Sequence, residues 1–97
     1  MDDLGLVSII TPTYNCAQYI GETIDTVISQ TYINWEMIIV DDCSSDDTDK
    51  IVSKYQQRDS RIKYYRLANH SGAAVARTVA MSLASGKYIA FLDSDDL

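Results

Sequence analysis

The sequence holds two cysteines, one histidine, one proline and four glycines in 97 residues, and each scarcity excludes something. Cys16 and Cys43 form no CxxC pair, so free thiols in a reducing compartment are expected rather than a disulfide framework or a cysteine metal site. His70 is the single histidine, so no histidine cluster for a metal exists either. No GxGxxG follows the first apolar run and no GxxxxGK[ST] occurs, which removes the usual dinucleotide fingerprint and the P-loop. No run nears the roughly 18 apolar residues of a membrane-spanning helix, and no signal-peptide pattern opens the chain. Basic residues number 8 against 14 acidic ones, a net charge of -6. That excludes nucleic acid as a partner, because backbone binding is driven by clustered Lys and Arg. A small anionic ligand stays open, since a bound cation inverts the local sign.

What is present reads as one small globular domain, 46% hydrophobic and 23% charged. Four apolar runs alternate with three helical patterns. Strands are expected at Leu6 to Thr11, Glu36 to Val40, Ile62 to Arg66 and Tyr88 to Leu92. The unbroken hydrophobicity of EMIIV fits a parallel strand buried on both faces. Helices are expected from about Cys16 to Gln30 with Asn15 as N-cap, and from Asp47 to Arg58 capped by Ser44 or Ser45. A third is expected from Ser71 or Gly72 to Ser85, ended by Gly86 in a left-handed conformation. Ala73, Ala76, Ala80 and Ala84 give that helix a small-residue side for close approach to the sheet. The alternation predicts a three-layer α/β/α sandwich on a mostly parallel four-stranded sheet of order 3-2-1-4. In such sheets ligands bind at the carboxyl edge where the winding reverses, here between the first and fourth strands.

Three polar groups converge on that edge. Thr11 to Asn15 places Pro12 and Tyr14 there; Tyr14 either offers a face for stacking a base or packs on the sheet. Asp41 and Asp42 follow the second strand, as acceptors for a base or ribose or as a solvated acidic turn. Asp46 and Asp47 read as helix-start residues only. Asp93-Ser94-Asp95-Asp96 follows YIAFL, and such carboxylates repel one another unless a hard cation or hydrogen-bond donors lie between them. Arg77 is either a counter-charge for a diphosphate or an ordinary surface arginine. His70 reads as a loop residue.

VSIITPTYN, ISQTY, WEMIIVDDCSSDDT, GAAVART and GKYIAFLDSDD, in this order, resemble the nucleotide-binding half of the inverting family-2 glycosyltransferases of GT-A fold. One departure is that Thr78 and Ala80 stand where the family commonly has Asn and Gly. The resemblance implies a Rossmann-like fold and a nucleotide-sugar donor, with uracil as the base. It also implies that Pro12 and Tyr14 line the base pocket, Asp42 bonds the base, Arg77 serves base or diphosphate, and Asp93 approaches the ribose. Asp95 would bind Mg²⁺ or Mn²⁺ bridging the diphosphate. The acceptor, a saccharide or a lipid-linked sugar, and the catalytic base belong to a second half expected beyond this single domain (1-97). The 97 residues alone are therefore expected to lack transferase activity. The fourth strand is expected to leave an apolar edge that promotes self-association. A cytoplasmic location is expected, peripheral to the inner membrane face in the parent. The competing class is a non-catalytic interaction domain on the same fold; a nucleotidyltransferase would carry a Gly- and Arg-rich loop in place of TPTYN.

Overall fold

The computed structural model describes residues 5–93. Strands β1 (Val7–Thr13), β2 (Trp35–Asp41), β3 (Ile62–Arg66) and β4 (Tyr88–Phe91) alternate with helices α1 (Ile20–Ser29), α2 (Thr48–Arg58) and α3 (Ala73–Leu83). The sheet order is β3-β2-β1-β4, with every pairing parallel, as the alternation predicts. β2 is the spine: all seven of its residues are buried, because helices cover both faces of the sheet. On one face Met37 and Ile39 pack with Ile20, Ile24 and Val27 of α1 and Val52 of α2. On the other face Ile10, Ile38 and Val40 meet Ala76 and Ala80 of α3, both fully buried. The small side chains at these two positions bring α3 close to the sheet. Ala73 is exposed instead, and Ala84 packs at the margin of that cluster.

β1 continues two residues past the expected stop at Thr11. Pro12 lies inside it, opposite Val40. The N–H that proline lacks would point toward β4, whose strand ends at Phe91, level with Ile10, so the substitution interrupts no regular pairing there. β4 itself closes one residue before the expected Leu92.

The expected caps are corrected. α1 begins at Ile20 with Tyr19 as N-cap, after a turn in which Tyr19 N and Ile20 N donate to the Cys16 carbonyl. Asn15 does not cap it: its Oδ1 accepts from Ser45 N across the loops, and its backbone sits at φ 49°. Ser44 and Ser45 do not cap α2 either. Ser44 N and Oγ donate to Asp41 Oδ1, and Asp46 Oδ1 accepts from Thr48 N and Oγ1 at the helix start. Gly86 is not left-handed. α3 leaves through Ala84 in an extended conformation (φ -70°, ψ 136°), and glycine is required at 86 for a different reason. A Cβ there would lie 2.5 Å from Ser8 Oγ and 2.8 Å from both Leu6 O and Ser8 N. Close approach to β1, not a turn, selects it.

Candidate functional site

The carboxyl edge is built from three connections that the sequence wires together. Asn15 N donates to Ser44 Oγ (2.8 Å), Ser45 N to Asn15 Oδ1 (2.7 Å), and Ala17 N to Asp46 Oδ2 (3.1 Å). These bonds join the β1–α1 connection to the β2–α2 connection. Asp46 is thus more than a helix-start residue. Burial pushes its carboxyl up, but the Thr48 hydroxyl and the amides of Ala17 and Thr48 outweigh that and hold it below the ordinary carboxylate value.

Asp41 and Asp42 alternate in direction, as neighbours at a strand end must, and therefore differ in use. Asp41 is fully buried and structural: it accepts from Ser44 and from the Tyr64 hydroxyl, with Arg66 Nη1 3.7 Å away. Burial and the Asp41 carboxylate together push the Tyr64 hydroxyl far above its usual range. Asp42, 2% exposed, turns to α3. Its Oδ1 accepts from Ser71 N (2.6 Å) and its Oδ2 from Gly72 N (2.8 Å). Gly72, the N-cap, sits at φ 96° and no side chain caps α3; Asp42 instead anchors from across the sheet edge the two amides that lead into the helix. His70 Nδ1 lies 2.9 Å from Asp42 Oδ2 and 3.2 Å from the Asp42 carbonyl.

Above Asp42 opens a cleft of about 500 Å³ between the ends of β1 and β4 and the start of α3. Its lining includes Pro12, Thr13, Tyr14, Cys16, Asp42, His70, Gly72, Ala73, Ala76, Arg77 and Asp93. The structure thus brings Pro12, Tyr14, Asp42, Arg77 and Asp93 to one cavity at the expected switch point. Pro12 is buried in its floor; Tyr14 is 48% exposed at its wall. Arg77, one turn into α3, meets no carboxylate in an ion pair among the described residues. Asp95 and Asp96 lie outside the described residues. Among the described residues no cluster of three His, Cys, Asp or Glu side chains could hold a metal ion.

His70 is the loop residue the sequence suggests, in the β3–α3 connection; not legible there is that its ring lies 4.6 Å from that of Tyr14 at 43° between planes. Its position just before Ser71-Gly72, at the mouth of a helix, was the available signal. No periodicity marks a residue in a connection, so its neighbours emerge only from the fold.

Comparison with known proteins agrees with this fold. The model of the family described as Glycosyl transferase family 2 matches residues 8–97. The UDP-Glc:alpha-D-GlcNAc-diphosphoundecaprenol beta-1,3-glucosyltransferase WfgD of Escherichia coli is 50% identical over 97 residues, covering 100% of this chain and 37% of WfgD. The chain therefore spans little more than a third of the length of such curated relatives. Among solved structures, S. aureus TarS 1-349 in complex with UDP-GlcNAc superposes with a TM-score of 0.87 at 38% identity, over 92% of this chain and 26% of that one. The mannosyltransferase PcManGT from Pyrobaculum calidifontis, in complex with GDP-Man and Mn²⁺, gives 0.86 at 29% identity, over 92% of this chain and 27% of its own. Sheet order, cleft position and a match across nearly the whole sequence lead to one conclusion: the chain belongs to glycosyl transferase family 2.

Proposed function

We propose that the cleft binds the nucleoside diphosphate of a sugar donor, and that the protein to which this domain belongs transfers the sugar, with inversion, to an acceptor hydroxyl. The observation that carries the reading is the convergence of Pro12, Tyr14, Asp42, Arg77 and Asp93 on one cavity of about 500 Å³. Tyr14 offers the base an aromatic face. Asp42 keeps acceptor capacity beyond its bonds to Ser71, Gly72 and His70, since a carboxylate has about four lone-pair sites. Arg77 supplies positive charge to the diphosphate. Asp93, exposed at the rim, takes the ribose.

The donor chemistry also fits a hard divalent cation. Asp93 presents carboxylate oxygen, and Mg²⁺ or Mn²⁺ suits a site in which one or two carboxylates are completed by phosphate oxygens and water. Asp95 is the residue proposed to hold it, and the Mn²⁺ in the PcManGT complex supports the assignment. When bound, the cation would neutralise charge on the departing nucleoside diphosphate.

The UDP-sugars named for WfgD and TarS support uracil as the base. The diphosphoundecaprenol substrate in the name of WfgD supports a lipid-linked acceptor and a location peripheral to the membrane. No described helix is long and apolar enough to cross a membrane. The acceptor site and catalytic base are assigned to the remainder of the longer protein, so residues 1-97 bind donor without turning it over. The edge of β4, with Tyr88, Ile89 and Phe91 all exposed, is assigned to self-association when nothing else covers it.

Calorimetric titration of the chain with UDP, with and without Mn²⁺, tests the reading. Metal-dependent binding is expected. A folded chain that binds UDP under neither condition would refute donor binding and favour a non-catalytic domain.

A further inference from the structure

We propose that His70 is a nucleobase-recognition residue of this cleft, forming with Tyr14 an aromatic corner whose floor is Asp42. This inference rests on the nucleotide-diphosphate reading of the cavity and adds a specificity element to it. The two rings lie 4.6 Å apart at 43°, too tilted to stack fully on each other, and both line the cleft. The His70 side chain is 59% exposed although two atoms of a buried residue hold it in place. An imidazole fixed at one nitrogen and open elsewhere is suited to contact a ligand.

The chemistry of that fixation is specific. The two Asp42 atoms within reach of Nδ1 are a carboxylate oxygen and a carbonyl oxygen, at 2.9 and 3.2 Å. A carbonyl can only accept, and so can an ionised carboxylate, so Nδ1 carries the proton. Nε2 is then the nitrogen left for a ligand, an acceptor for a base N–H or a ribose hydroxyl in the neutral ring and a donor to a base carbonyl in the protonated one. The same imidazole presents a flat face beside Tyr14, and planar bases gain affinity from each such face. Ser71 and Gly72, the residues that follow His70, are anchored on the same carboxylate, so the ring is carried by a fixed connection.

Titration of the full chain with UDP and Mn²⁺, and separately with inorganic pyrophosphate and Mn²⁺, tests this. His70→Ala is expected to weaken UDP about tenfold and to leave pyrophosphate unchanged, because only UDP has a base to stack. His70→Phe, which keeps a ring, is expected to retain UDP affinity to within about threefold. His70→Asn, which keeps a donor for Asp42 without the ring, is expected to behave as His70→Ala does. UDP affinity unchanged in His70→Ala, or an equal loss for both ligands, would overturn the proposal. Rescue by Asn but not by Phe would also overturn it, assigning His70 to holding Asp42 alone. Failure of the unsubstituted chain to bind UDP would instead bring down the donor-binding reading, and this inference with it.

Discussion

β2 has a buried carboxylate near its amino end, Glu36, and is followed by another, Asp42; both hold backbone beside α3, and Asp42 borders the cleft. At the amino edge Glu36, 5% exposed, accepts from Ser8 Oγ (2.5 Å) and Ser85 N (2.8 Å), holding the chain just after α3. Ser8 Oγ in turn accepts from Gly86 N (2.8 Å), and the lack of room for a Cβ at Gly86 closes the region. At the carboxyl edge Asp42 holds Ser71 and Gly72 just before α3, and the space beside it stays open to Tyr14, His70, Arg77 and Asp93. The same bond type, a carboxylate accepting backbone N–H, thus closes the packing at one edge and at the other borders the cleft where the winding reverses, the place proposed for the donor.

Substitutions should separate the two edges. The largest effect is expected from Gly86→Ala. Its Cβ would meet Leu6 O and Ser8 N, which are backbone and cannot swing away, so a loss of about 3 kcal/mol is expected in urea unfolding at unchanged slope. Glu36→Ala comes next. It strips a charged acceptor from Ser8 and Ser85 and should cost about 2–3 kcal/mol while leaving UDP affinity intact wherever the chain is folded. Asp42→Ala is the mirror case. It should cost about 1–2 kcal/mol through the lost acceptor for the Ser71 and Gly72 amides, but should lower UDP affinity at least about tenfold in calorimetry. Equal effects of Glu36→Ala and Asp42→Ala on UDP binding would erase the distinction between the edges.

Acid sharpens the same contrast. Burial pushes the Glu36 carboxyl up, but the Ser8 hydroxyl, the amide and hydroxyl of Ser85 and the charge of Lys63 outweigh it and hold it below its ordinary 4.5. A depressed folded pKa means that its stabilisation is complete above the unfolded value and is lost as pH falls through the folded one. Stability should therefore decline below about pH 4.5, and Glu36→Gln should flatten that limb in pH-dependent denaturation. Asp46 and Asp59, both also depressed, the latter chiefly by its hydrogen bonds from Arg61, add to the same slope. The smallest stability effect is expected from Arg77→Ala, within about 0.5 kcal/mol, together with about a tenfold loss of UDP affinity.

The elements and their order were legible because they follow from period and burial: EMIIV fits a covered parallel strand, and of the four alanines expected to face the sheet Ala76 and Ala80 do so while Ala73 is exposed. That the segments after β1 and β4 flank the switch point was legible for the same reason, since the strand order fixes which carboxyl ends are neighbours, whereas Arg77, on α3, was named from the family resemblance. What escaped reading were side-chain bonds between connections. Asn15, Ser44 and Ser45 are good capping residues in any sequence, and nothing local says that their partners lie on another loop. Gly86 was singled out for the wrong reason, because a glycine needed for close approach and one needed for a left-handed turn look alike in a sequence. Asp42 was expected at the site, but its hold on Ser71 and Gly72 depends on a contact between residues some thirty apart.

Backbone amide shifts of the isotopically labelled chain, recorded as UDP and Mn²⁺ are added, test the central claim most directly. Perturbation is predicted at Thr13, Tyr14, Ser71, Gly72 and Arg77, with Ser8, Ser85 and Gly86 unmoved. Shifts centred on the amino edge, or on the apolar groove between Trp35 and Tyr88, would contradict it.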